Sequence, residues 1–342
     1  MNSVACQSAS NRQDLFSEAA ARLGLTPTIL EKDFWVCWML KQLFAFRGNS
    51  PSLIFKGGTS LSKVYSAIRR FSEDIDLSFD RKAFGYDGER DPETASSGKR
   101  REKLIAELVA DVEKFIATDF LRQLGDTIAT QLGRPADAGW DLSIDVGKAD
   151  AIVFRYPPSL STGAYGATTY LNPAVRLELG ARGDAWPTQR RSLQPYAADM
   201  FPKAFREPTT EVVVLEAERT FWEKATILHM EYHRAEPRFD RLSRHYYDLA
   251  MLADTEYGRR ALAQPNLLER VAKHKSMYFA SGWAKYNEAR PGSLRLAPSQ
   301  ERKVALAADY AKMAPMFFDQ PPPRFDDLIG RVEVLERQIN AG

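Results

Sequence analysis

Apolar residues change their period along this chain near position 215, and two kinds of structure follow. Before it, short apolar or alternating runs lie between Gly, Pro and Thr. Strands are predicted at 53–55, 74–79, 142–144, 151–156, 175–179 and 212–215. After it, helical spacing predicts segments over 216–234, 244–252, 260–278 and 300–313, and a last one over 325–339 beyond Pro321-Pro322-Pro323. Helices are also expected at 12–23, at 61–68 and at 100–124, and one opens at Thr26-Pro27, an N-cap followed by a first-turn proline. That helix carries Trp35, Trp38, Leu40 and Leu43 as a packing stripe. Segment 81–99 has no period and reads as a mobile loop. The pattern gives an α+β fold in three parts: N-terminal helices packed on the core (1–48), a mixed-sheet α/β domain (49–215) and an all-helical domain (216–342).

The 74–79 strand carries the first sign of chemistry. Ile75, Leu77 and Phe79 alternate with Asp74, Asp76 and Ser78, so the two aspartates share one face. Carboxylates that close repel unless one is protonated or a divalent cation neutralises both, and hard oxygen donors suit Mg²⁺. The pair reads as a metal seat. Just upstream, the apolar run ends at Gly57-Gly58 and leads into the predicted 61–68 helix, giving a strand, a tight glycine turn and a helix. Glycines admit a phosphate close to the backbone, Thr59 and Ser60 offer hydroxyls, and a helix N-terminus offers amide donors. The order of residues is not that of a Walker A loop, because Lys56 and Lys63 stand in the wrong places for it.

Further charged residues can be read in two ways. Glu178, alternating with Val175, Leu177 and Leu179, is the best third carboxylate for a metal, with Asp145 next; a strand-edge ion pair such as Glu178 with Arg182 fits equally well. Lys224 sits among apolar neighbours, where a lysine faces a cleft and can reach nucleotide phosphates, or else pairs with Glu223 or Glu231. Arg244 and Asp248 are one turn apart, the spacing of an ordinary intrahelical ion pair. Arg234, Arg238, Arg241 and Arg244, with Arg190-Arg191 upstream, either line a path for an RNA backbone or form a solvated basic face.

Bulk properties narrow the setting without choosing the chemistry. A net charge of +2 is too mild to demand nucleic acid. Cys6 and Cys37 are the only cysteines, no apolar N-terminal segment resembles a signal peptide, and no apolar run reaches membrane-spanning length. A cytoplasmic protein without membrane insertion is expected. His229 and His233, one turn apart, lack a third ligand at zinc-protease spacing and read as two ordinary helix-surface histidines.

Four stretches together resemble the nucleotidyltransferase AbiEii/AbiGii toxin family, a branch of the DNA polymerase β-like nucleotidyltransferases. They are Gly57-Gly58-Thr59-Ser60-Leu61-Ser62-Lys63, the run from Arg70 through Asp74-Ile75-Asp76-Leu77, Glu218-Arg219 through Glu223-Lys224, and Arg244 through Tyr247-Asp248-Leu249. The resemblance implies a polymerase β-like mixed sheet and a Mg²⁺-dependent transfer, with two ions and Mn²⁺ as an alternative, of a nucleotide from an NTP. It makes Asp74 and Asp76 the metal-binding carboxylates, Gly58, Thr59 and Ser60 the phosphate-binding turn, and Lys224 and Asp248 essential cleft residues; the expected catalytic set is Asp74, Asp76, Lys224 and Asp248, with Gly57 and Lys63 joining the turn on the nucleotide and Glu178, from the strand pattern alone, joining the aspartates on the metal. Asp248 would orient Lys224 or assist deprotonation. An RNA acceptor, the tRNA 3′ end above all, and a cognate antitoxin encoded nearby are implied as partners. The same fold can also serve transfer to a small molecule or a protein hydroxyl, or a non-catalytic interaction. The chain departs from the family at His245, where an aspartate is frequent, which leaves Asp248 the sole acid of that stretch.

Overall fold

The computed structural model describes residues 1–46, 51–165 and 172–341. They fall into two compact units, one of 1–64 with 71–214 and the other of 65–70 with 215–342. The predicted 48/49 boundary lies outside the described residues. The N-terminal helices count with the sheet, and the short segment 65–70, expected in the sheet domain, counts with the helical unit.

The first unit is built on a seven-stranded mixed sheet. Its strands are β1 (Leu53–Lys56), β2 (Asp74–Phe79), β3 (Asp141–Asp145), β4 (Lys148–Arg155), β5 (Ala174–Gly180), β6 (Thr188–Leu193) and β7 (Thr210–Leu215), in the order β3-β4-β5-β2-β1-β7-β6. β2 is antiparallel to β1 and parallel to β5, and β1 is parallel to β7. Eight α-helices accompany it among the described residues: α1 (Asn2–Ala5), α2 (Ala9–Leu23), α3 (Pro27–Phe44), α4 (Gly57–Lys63), α5 (Gly98–Phe115), α6 (Leu121–Leu132), α7 (Pro135–Ala138) and α8 (Tyr196–Met200).

One sheet face is dry. Ile75 and Leu77 of β2 lie in register with Leu177 and Leu179 of β5, and all four are buried. On the same face Phe154 of β4 takes Trp38 of α3, stacked at 5.8 Å, while Phe79 meets Phe115 and Phe120 edge-on at 5.6 and 5.3 Å. Thr26 caps α3 by accepting from the Ile29 amide, with Pro27 in the first turn. Burial of these aromatic pairs is the main force holding the helices to the sheet.

The predicted 100–124 helix is longer than its period suggested, and it is interrupted. Leu104, Leu108, Val112, Ile116, Phe120, Leu124 and Ile128 recur every four residues, and all are buried. An α-helix turns 3.6 residues at a time, so a strict four-residue spacing drifts around its axis. A π-turn at Ile116–Phe120 between α5 and α6 takes up part of that drift and keeps the stripe on the sheet. Segment 81–99 is likewise not shapeless. It holds three 3₁₀ turns, Arg81–Phe84, Gly88–Arg90 and Pro92–Thr94, the first capped by the Asp80 carboxylate accepting from the Lys82 amide.

The second unit is helical: α9 (Ala217–His233), α10 (Ser243–Ala253), α11 (Glu256–Leu262), α12 (Pro265–Tyr278), α13 (Gln300–Lys312) and α14 (Phe325–Ala341). The single helix expected over 260–278 is two, because Pro265 cannot donate into a continuing ladder and opens α12. Segment 65–70 is tied in by the Tyr65 hydroxyl donating to the Leu215 carbonyl at 2.9 Å, an antiparallel bridge of Arg70 with Phe317, and an Arg69–Asp319 ion pair at 2.7 Å. Among the described residues no helix is long and apolar enough to cross a membrane.

Candidate active site

β2 places Asp74 and Asp76 on the sheet face opposite the dry one, both half-buried. In register, Arg176 lies beside Asp74, while Glu178 and Lys56 flank Asp76 from β5 and β1. The glycine pair before them does not form a separate turn ahead of a helix at 61. It is the first turn of α4 itself, which ends at Lys63. Gly57 is required there twice over. Its φ of +79° is a left-handed conformation, and a Cβ at this position would fall 1.9 Å from Asp76 Oδ2. No other residue lets the strand-to-helix junction close on that carboxylate.

Three residues assigned to the nucleotide from sequence are engaged within the protein. The Thr59 hydroxyl donates to the Asp74 carbonyl, and Ser60 Oγ donates to the Gly57 carbonyl at 2.8 Å, both in buried positions. The Thr59 proton therefore holds α4 to β2, and the Ser60 proton closes the first turn of α4. Lys63 turns inward: its Nζ lies 2.6 Å from Asp33 Oδ1 and 3.3 Å from the Tyr196 ring centre, and the other Asp33 oxygen accepts from the Tyr196 amide at 2.7 Å. Burial works against the Lys63 ammonium, but Asp33, with Cys37 and Tyr196, outweighs it and holds its pKa above the ordinary lysine value. The hydrophobic α3–α8 neighbourhood draws in the lysine stem, and Asp33 fixes its head.

Glu178 is also partnered, accepting from Lys148 Nζ at 2.8 Å with Arg176 at 3.8 Å; Asp145 pairs with Arg176. Among the described residues no group of three or more His, Cys, Asp and Glu side chains is arranged to hold a metal. The aspartate pair fits Mg²⁺ without a third carboxylate, since that ion keeps several waters and commonly takes one or two carboxylates plus substrate phosphate oxygens. A further buried pair, Lys32 with Glu73 at 2.6 Å, anchors the residue just before Asp74 to α3.

Lys224 and Asp248 meet within the helical unit. Lys224 Nζ on α9 is 2.7 Å from Asp248 Oδ2 on α10, a pairing between two helices that neither the Lys224 nor the Asp248 stretch suggests by itself. Arg70 completes the cluster as a two-pronged donor, with Nε to Oδ1 at 2.7 Å and Nη2 to Oδ2 at 2.8 Å. All three side chains are buried. Burial opposes the Asp248 charge, yet Arg70 and then Lys224 overcome it and hold the carboxyl well below the usual range. Lys224 moves the other way from Lys63: burial lowers its pKa, and Arg70 and Arg244 add to the lowering against the pull of Asp248. An aspartate saturated by two cations is a poor proton acceptor, so orientation of Lys224 is the role that this geometry supports.

The histidines correct a sequence expectation. His229 is buried rather than on a helix surface, its Nε2 3.1 Å from the Lys285 carbonyl and its Nδ1 accepting from the Arg295 amide at 3.0 Å. His245 is held neutral, its pKa pushed well below the ordinary value by burial and then by Lys224 and Arg244.

A family model described as "Nucleotidyl transferase AbiEii toxin, Type IV TA system" matches residues 38–331. The chain belongs to this family. As an AbiEii member it is a nucleotidyltransferase toxin of the type IV toxin–antitoxin class, and that class implies an antitoxin partner. MenT4, a nucleotidyltransferase toxin from Mycobacterium tuberculosis H37Rv, is similar in structure over 96% of this chain and 97% of its own, at 17% identity and a TM-score of 0.46. No curated protein matches the sequence. The AbiEii stretches coincide with α4, β2, α9 and α10, and each contributes to one of the two clusters above. Arg70 opens the second of those stretches but lies 178 residues from Asp248 in the chain, and nothing in local spacing connects the two.

Proposed function

We propose that this AbiEii-family enzyme transfers a nucleoside monophosphate from an NTP to the 3′ end of an RNA, with tRNA as the acceptor. The acceptor hydroxyl oxygen bonds to the α-phosphorus as the bond to pyrophosphate breaks, releasing pyrophosphate and a proton. Asp74 and Asp76 would hold Mg²⁺, which when bound supplies charge neutralisation at the phosphates. Gly57 keeps the backbone low beside Asp76, so that a triphosphate can approach the carboxylates. Lys224, oriented by Asp248, places a positive charge for the polyphosphate, and Arg70 holds Asp248 in place. The observation that carries the reading is the aspartate pair on one strand face with a glycine so close that any side chain would strike Asp76.

The test is incorporation of labelled nucleotide into purified tRNA with each of the four NTPs. Incorporation should require a divalent cation and should fall to background in Asp76→Asn. Label that appears only in the protein or small-molecule fraction would move the acceptor away from RNA.

A further inference from the structure

Two basic residues stand in register with the aspartate pair. Arg176 is beside Asp74 on β5, and Lys56 is opposite Asp76 on β1. Residues paired in this way project to one face of a sheet, so both basic side chains share the carboxylate face. Their situations differ. Arg176 is taken up by acids, pairing with Asp145 and lying 3.8 Å from Glu178. Lys56 is half-buried, yet its ammonium has neither an ion pair nor a hydrogen bond among the described residues. Asp76 is within reach, since opposed residues of an antiparallel pair have Cβ atoms about 5 Å apart. That carboxylate leans instead against the next residue of the chain, its Oδ2 1.9 Å from where a Gly57 Cβ would stand.

The backbone gives Lys56 no freedom to leave this position. It is the last residue of β1 and the N-cap of α4, so strand pairing holds it on one side and the helix on the other. An ammonium drawn partly out of water without an acid is costly, and a divalent cation on Asp74 and Asp76 would add repulsion. A polyanion lying between the lysine and that cation offsets both costs at once. Lysine suits such a place, being a compact point charge with three donors on a flexible stem.

We propose that Lys56 is a phosphate-contact residue of the nucleotide site, its ammonium donating to the polyphosphate of the metal-bound NTP. This rests on reading Asp74 and Asp76 as the metal seat. The probes, each titrated against the full chain, are Mn²⁺ alone, inorganic triphosphate with Mg²⁺, and the four NTPs as α,β-methylene analogues with Mg²⁺. Lys56→Met should weaken the best-bound NTP analogue about 10–100-fold, the loss expected for a hydrogen bond to a charged group. Inorganic triphosphate should lose a similar factor, because the contact is with phosphate rather than base or ribose. Lys56→Arg keeps the charge and should recover part of the loss. Mn²⁺ alone should bind Lys56→Met at least as tightly as wild type, since a like charge has been removed. The melting temperature should stay near wild type, because no carboxylate is left without a partner.

Unchanged triphosphate affinity in folded Lys56→Met would overturn the proposal. So would a fall in Mn²⁺ affinity as large as the fall in NTP affinity, which would make Lys56 a support for Asp76. NTP affinity that depends on Lys56 while Mn²⁺ binding survives Asp76→Asn would keep the lysine contact and sink the aspartate seat. Mn²⁺ binding lost in Asp76→Asn, with NTP affinity indifferent to Lys56, would do the reverse.

Discussion

Two buried lysine–aspartate pairs, one in each unit, have nearly the same geometry and opposite electrostatics. Lys63 and Asp33 lie 2.6 Å apart and Lys224 and Asp248 2.7 Å apart, with every side chain buried. The first aspartate answers one cation and supports it, and the lysine pKa rises. The second aspartate answers Arg70 as well, and the lysine pKa falls. The stoichiometry of charge separates the pairs. One acid with one base is a closed structural unit, whereas one acid with two bases leaves positive charge over, which suits the phosphate-facing role proposed for Lys224.

Breaking each pair should show the contrast. Lys63→Met leaves Asp33 buried without its cation and should lower stability by about 3–5 kcal/mol in denaturant unfolding, while the folded fraction keeps its kcat. Lys224→Met leaves Arg70 to balance Asp248. Its melting temperature should stay within a few degrees of wild type, and kcat should drop about 10²–10³-fold, or roughly 2.7–4 kcal/mol. If Lys63→Met lost activity without losing stability, the two lysines would have to exchange roles. The smallest effect is in the pH profile. Because the Asp248 pKa is depressed in the folded state, its contribution is present above the ordinary carboxylate range and is lost as pH falls below it. Wild type should therefore lose stability between about pH 4 and pH 2 more steeply than Asp248→Asn, by up to about 1.4 kcal/mol per pH unit.

The sequence pattern was most informative where residues act through neighbours. The β2 alternation, the Thr26-Pro27 start and the four-residue stripe from Leu104 are local signals, and each appears as an element. β6 was not foreseen because Thr188-Gln189-Arg190-Arg191-Ser192 has no apolar alternation; an edge strand with polar side chains gives the pattern nothing to register. Asp74, Asp76 and Lys224 stood out by the company of their immediate neighbours. The partners of Lys63, Glu178 and Asp248 did not, since a long-range ion pair leaves no trace in spacing: Asp33 is on another helix, Lys148 on another strand, and Arg70 on a segment between two strands of the other unit.

That last placement limits how the protein can be taken apart. The chain leaves the sheet unit after Val64, contributes six residues to the helical unit, and re-enters the sheet unit at Phe71. A fragment beginning at Leu215 would contain α9 through α14 and still lack the arginine that grips Asp248. Cutting the molecule at its obvious seam thus removes a part that only the amino-terminal half encodes, and any two-piece complementation would have to return Tyr65 to Arg70 to the fragment that does not carry them.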